Sequence, residues 1–181
     1  PTHGYVFGTE NNKFNGGKTK LDGNILFDFK TVAKKPADQK QQGPTLADNA
    51  NYRVIPLPFE APSFMPGPST TWHQLKANPW TAGSANATTL KWHSTDATGT
   101  DYDYSRGNDT WAYQDRTPQN NTGSQAKSAQ STTALPNLNF DFTPDYTLEP
   151  IVTTPPNQQF NITNLFYWNN IVHDVMYAYG F

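Results

Sequence analysis

From Asn161 to Phe181 apolar residues recur at three- and four-residue spacing. Leu165, Trp168, Val172, Val175 and Tyr179 form one series, and Phe166, Ile171 and Met176 lie on the neighbouring face. That period predicts an α-helix. Asn161 is placed to cap its start, and Gly180 to take the left-handed conformation past its end. About 18 residues at ~1.5 Å each give a rod of roughly 27 Å. Asp174 is its one formal charge. A helix apolar around most of its circumference is normally buried on nearly all sides. Because the sequence stops just after it, the pattern predicts that residues 161–181 pack against further protein, either the remainder of a larger molecule or a second chain.

Upstream the pattern changes to short β-prone runs separated by turns. Tyr5-Val-Phe and Asn24-Ile-Leu-Phe-Asp-Phe have strand composition. Lys34 to Asn49 is polar, holds Pro36, Gly43 and Pro44, and reads as a linker or exposed loop. Its lysines predict a protease-sensitive boundary between Lys34 and Asn51. Tyr52-Arg-Val-Ile-Pro-Leu-Pro-Phe carries Pro56 and Pro58 two residues apart, which predicts an edge strand or extended arm. Residues 62–80, with four prolines and Trp72 and Trp80, read as an extended loop anchored by aromatics. Leu90-Lys-Trp-His leads into a turn and another strand, and residues 117–134 read as loop. The fold class expected is α+β, mostly β: twisted antiparallel strands from about 51 to 150, long loops and one long C-terminal helix.

Composition narrows the function classes. Of 181 residues, 35% are hydrophobic and 15% charged, while aromatics reach 14%. So many aromatics exclude a solvating disordered tail. A net charge of -2 disfavours a general nucleic-acid binder, and no apolar run is long enough to span a membrane. There is no cysteine, hence neither a disulfide framework nor a Cys-based zinc site. Residues 1–50 hold seven of the 13 basic groups, and none follows Lys127. Sequons stand at Asn86, Asn108, Asn120 and Asn161, though 23 Thr and 18 Asn would produce most of these by chance. Few charges with many Asn, Thr, Tyr and Trp is a composition like that of secreted proteins.

The candidate chemistry is sparse. His3, His73, His93 and His173 form no H-E-x-x-H, H-x-H or H-x-x-x-H arrangement, so no locally spaced zinc site is present. His73 and His93 each follow a Trp and read as packed turn residues. His173, beside Asp174, reads as a core histidine satisfied by a hydrogen bond, or as a residue positioning the wall of a site. There is no G-x-S-x-G, and Gly16-Gly17-Lys-Thr lacks the earlier glycine of a phosphate loop. No residue is assigned a catalytic or cofactor-binding role. Asp101, Asp103, Asp109 and Asp115, with Asn108, are weak calcium candidates, since a hard cation needs several oxygens converging from a flexible loop. Surface turn formation is the default reading for all of them.

One string is specific. Asn164-Leu-Phe-Tyr-Trp-Asn-Asn-Ile-Val-His-Asp-Val-Met-Tyr-Ala-Tyr-Gly-Phe closely resembles a helix of the fungalysin family, secreted zinc metalloendopeptidases of the thermolysin-like group that are made as zymogens. Earlier segments agree in order. Tyr52-Arg-Val-Ile-Pro-Leu-Pro resembles the family's strand near the start of the mature enzyme. Leu90-Lys-Trp-His-Ser-Thr-Asp-Ala-Thr-Gly is similar to its Gly-Trp-His-Asp turn, with Lys91 in place of the usual Gly. Ser105-Arg-Gly-Asn-Asp-Thr-Trp-Ala-Tyr-Gln-Asp-Arg and Leu138-Asn-Phe-Asp-Phe match further strands.

The resemblance covers about residues 51–181 and implies the N-terminal part of the peptidase domain, truncated after its first long helix. Residues 1–50 would then be a propeptide tail or N-terminal extension. It also implies a secreted, extracellular parent that hydrolyses peptide bonds of protein or peptide substrates with a zinc-activated water. Zinc would be bound by residues outside this chain, which alone should be inactive. Two rivals remain: a non-catalytic secreted β-rich interaction module whose terminal helix docks on a partner, and a carbohydrate-binding β-sandwich suggested by five Trp and nine Tyr.

Overall fold

The computed structural model describes residues 47, 49–95, 101–116 and 122–181. The strands expected near Tyr5 and Asn24, nearly all of the linker from Lys34, the Gly16-Gly17 pair, His3 and the Asn120 sequon lie outside them. The described part is α+β with a small sheet. Strand β1 spans Asn49–Val54, β2 Gln74–Ala77 and β3 Asn137–Phe140, followed by helix α1 at Asn157–Ala178. The sheet order is β2-β1-β3. β1 runs antiparallel to β2, pairing Tyr52 with Lys76, and parallel to β3, pairing Tyr52 with Phe140. The sheet is therefore mixed, where antiparallel pairing was expected throughout. Short 3-10 turns and isolated bridges fill most of the connections.

β1 is the central strand, and this corrects the edge-strand expectation. Pro56 and Pro58 fall after Val54, where the ladder has already ended, so their missing donors cost it nothing. Alternate residues Ala50, Tyr52 and Val54 are buried, the period of a half-buried strand. Beyond the ladder, α1 takes over the backbone bonding. Asn164 Oδ1 accepts from the Ile55 N–H at 2.9 Å, and Trp168 Nε1 donates to the Ile55 carbonyl at 3.0 Å. Asn164 and Trp168, four apart, share one helix face and grip a single residue. Asn78 continues β2 in a similar way. Its backbone N–H donates to the Ala50 carbonyl and its Oδ1 accepts from the Ala50 N–H, both at 2.9 Å.

α1 begins four residues before the expected cap. The Pro155-Pro156 pair precedes it, and Asn157 is not a cap but a brace: its side chain bonds both the N–H and the carbonyl of Asp145. Asn161 lies inside the helix and donates to the Pro150 carbonyl. The end matches expectation. Gly180 has φ +90, its N–H reaches the Tyr177 carbonyl at 3.0 Å, and the Phe181 N–H reaches Met176 at 3.2 Å. These two bonds are the Schellman pair that satisfies a helix's last carbonyls.

The core is aromatic and centres on Tyr52, which is fully buried. Its ring lies parallel to Phe140 with centroids 5.4 Å apart, and also contacts Trp80, Trp92, His93 and Phe166. Its hydroxyl lies 2.7 Å from His93 Nε2. His93 Nδ1 lies 3.1 Å from the Tyr104 carbonyl, which can only accept. The ring proton therefore sits on Nδ1, and Nε2 accepts from Tyr52. Burial holds His93 in this neutral form, with its pKa lowered to about 4, and pushes the Tyr52 phenol well above its ordinary value.

Two backbone positions in these segments are tightly constrained. Lys91 sits at φ +54, a region glycine enters freely and other residues enter at a cost of roughly 1 kcal/mol. Gly107, in the Arg-Gly-Asn string, abuts the Trp92 backbone: an added Cβ would stand 1.9 Å from the Trp92 carbonyl oxygen.

Two outcomes are expected. Folded His93 titrates near pH 4 and an unfolded histidine near 6.5. Between them only the unfolded chain takes up this proton, so its contribution is complete above pH 6.5 and is lost as pH falls toward 4. Urea unfolding over that range should show a loss of up to about 3 kcal/mol from this group. A stability flat in pH would contradict it. Gly107→Ala should cost about 1–3 kcal/mol or prevent folding, because the obstacle is backbone. A variant melting within about 1 °C of the parent would show that the Trp92 segment yields freely.

Candidate functional site

The described polar residues converge most closely on the inward side of α1. Thr163, Tyr167, Asn170 and Asp174 follow at helical spacing and are all buried. Asp174, 5% exposed, is the innermost charge. Its Oδ2 accepts from Trp92 Nε1 at 3.1 Å, and its Oδ1 accepts from His173 Nδ1 at 3.0 Å. Burial pushes the Asp174 carboxyl above its ordinary range, and these two donors partly offset the shift. Trp92 reaches Asp174 because its segment is pinned one residue later by His93.

The other ring nitrogen of His173 faces a second carboxylate. Nε2 lies 3.4 Å from Asp109 Oδ1, on the turn between Arg106 and Trp111. The His173 side chain is 33% exposed and that of Asp109 21%. Beside Asp109 the surface dips into a shallow pocket of about 190 Å³ lined by Asp109, Thr110, Trp111, Ala112, Leu165 and Asn169. Arg106 does not enter this group. Its guanidinium lies between the Tyr102 and Trp111 rings, 4.6 and 4.1 Å from their centroids.

The four calcium candidates occupy separate settings. Asp101 accepts from the Ala47 N–H, Asp103 from Gln125, and Asp109 faces His173. Asp115 is exposed and engaged elsewhere. Among the described residues no group of three or more His, Asp or Glu could hold a metal ion. His73 accepts from Arg53, which also pairs with Asp141, and stacks near Tyr146 and Phe160. It is a packing residue, as its position after Trp72 suggested. His173 makes the hydrogen bond the sequence indicates, to Asp174, but it is not the core histidine expected: its side chain is partly exposed at the edge of α1. Its second partner, Asp109, lies 64 positions away, and no spacing rule could have found it.

The outward side of α1 carries an apolar row, interrupted by the exposed Asn161 and Asn169. Leu165, Val172, Val175, Met176 and Tyr179 share it, each between 39% and 54% exposed, and Phe181 beyond is 77% exposed. The helix is thus inverted over its second half, with Asn170 and Asp174 inward and aliphatic side chains outward.

No curated protein and no solved structure matches the chain. Residues 51–181, from within β1 through α1 to the last residue, match the sequence profile described as Fungalysin metallopeptidase (M36), and the chain therefore belongs to that metallopeptidase family.

Proposed function

We propose that this chain is the N-terminal part of the catalytic domain of a secreted zinc metalloendopeptidase and does not cleave peptide bonds by itself. The observation that carries the reading is a family match over residues 51–181 in a sequence with no H-E-x-x-H. The residues present do not fit a catalytic zinc: no described group of three ligands could hold one. The metal, its water and the general base would come from outside residues 1–181. No helix among the described residues is long and apolar enough to cross a membrane.

What the chain contributes in this reading is a scaffold. The aromatic core holds α1, whose outward face presents a surface for the rest of the enzyme. Burying one large apolar side chain is worth roughly 1.5–3 kcal/mol, so a row of them is a strong assembly surface. The substrates in this reading are proteins or peptides, and the parent acts outside the cell.

Two measurements test the proposal. The purified chain, loaded with zinc, is expected to leave casein uncleaved; turnover abolished by a chelator would overturn the reading. In solution the chain alone should self-associate or bind an apolar dye, and Val172→Ser with Val175→Ser should reduce either behaviour severalfold. A monodisperse parent chain that binds no dye would remove the assembly surface from the account.

A further inference from the structure

We propose that His173 is a pH-operated latch joining α1 to the Arg106–Trp111 turn. Both of its ring nitrogens face carboxylates, Nδ1 to Asp174 at 3.0 Å and Nε2 to Asp109 at 3.4 Å. The Asp174 contact is a hydrogen bond and the Asp109 contact a longer ion pair; carboxylates accept and cannot donate, so only the imidazolium makes both attractive. The two partners belong to different parts of the fold. Asp174 is on α1 and is fixed by Trp92 Nε1. Asp109 is on a tight turn closed by the Gly107 N–H to the Thr110 carbonyl at 2.8 Å.

When His173 loses a proton, one arm must go. Asp174 is 5% exposed, and stripping a donor from a buried carboxylate is costly. The remaining proton therefore stays on Nδ1. Nε2 then turns a lone pair toward the Asp109 carboxylate, and attraction becomes repulsion. Asp109 can move into water, because its side chain is already 21% exposed. Its departure widens the pocket it shares with Leu165 and Asn169. The turn is held to the helix at acidic pH and released as pH rises. Tyr177, whose ring centroid lies 6.3 Å from that of His173, is a further titratable group facing the ring. Arg106, on the latched turn, faces Tyr102 and Trp111. The latch does not depend on the peptidase reading.

Amide hydrogen exchange on the full chain, corrected for intrinsic rates, reads the latch directly. Protection of the Gly107 amide, the donor that closes the turn, is expected to fall roughly two- to fivefold between pH 5 and 8, the scale of a partly exposed ion pair. Asp109→Asn should abolish that dependence, since an amide can face either form of the ring, and His173→Gln should do the same. The sign separates the latch from global stability, which His93 makes fall toward acid. Protection at the turn that is flat with pH, that rises with pH, or that falls equally in Asp109→Asn would overturn the proposal.

Discussion

The hydrogen bond from Tyr52 to His93 is the contact on which the other arrangements depend. It ties the central strand to the Trp92–His93 segment inside a core of aromatic and aliphatic side chains. Burying a hydroxyl and an imidazole there is tolerable only because each satisfies the other, with the Tyr104 carbonyl accepting from the remaining N–H. Once His93 is fixed, Trp92 is fixed beside it, and Trp92 Nε1 is what meets Asp174. Gly107 lies against the same backbone. One polar pair in the core thus registers β1, the Arg106–Trp111 turn and α1 against one another.

How much of this was readable in the sequence varies by element. The helix was legible because its three- and four-residue period is long and uninterrupted, and its end because Gly180 has one conformational use there. Its start was not, since Asn161 has the right chemistry for a cap but Pro155 and Pro156 had already begun the turn. β1 was found and given the wrong place, because two prolines were counted into a ladder that stops at Val54. β2 falls in a stretch that reads as loop: Gln74-Leu-Lys-Ala alternates over only four residues between prolines, and β1 supplies the partner that makes it a strand. The His173–Asp174 pair was visible as adjacent residues, whereas Asp109 joins it through tertiary folding alone. Lys91 is the instructive departure, a lysine held at a positive φ where glycine would be unstrained.

The inverted second half of α1 links the fold to its biological setting. Amphipathic helices bury the apolar side, yet here Asn170 and Asp174 face inward and the aliphatic row faces out. Asn170 Nδ2 bonds the Phe166 carbonyl and Asp174 accepts from Trp92 and His173, while Asn170 Oδ1 and Thr163 Oγ1 are buried without a hydrogen-bond partner. Turning the helix to bury its aliphatic row would strand a carboxylate, and that penalty fixes its orientation. The helix thus packs Phe160, Ile162 and Phe166 and its inward polar groups against the β-rich part while an apolar row stays exposed on its outer side.

The most direct test of this account is the protonation state of His93, read by long-range nitrogen–proton NMR correlation of its imidazole across pH. The account predicts a neutral ring with its proton on Nδ1, persisting down to about pH 5 and titrating near pH 4. A ring that carries its proton on Nε2, or that charges at the ordinary histidine value near pH 6.5, would contradict the claim that the Tyr52–His93 pair organises the core.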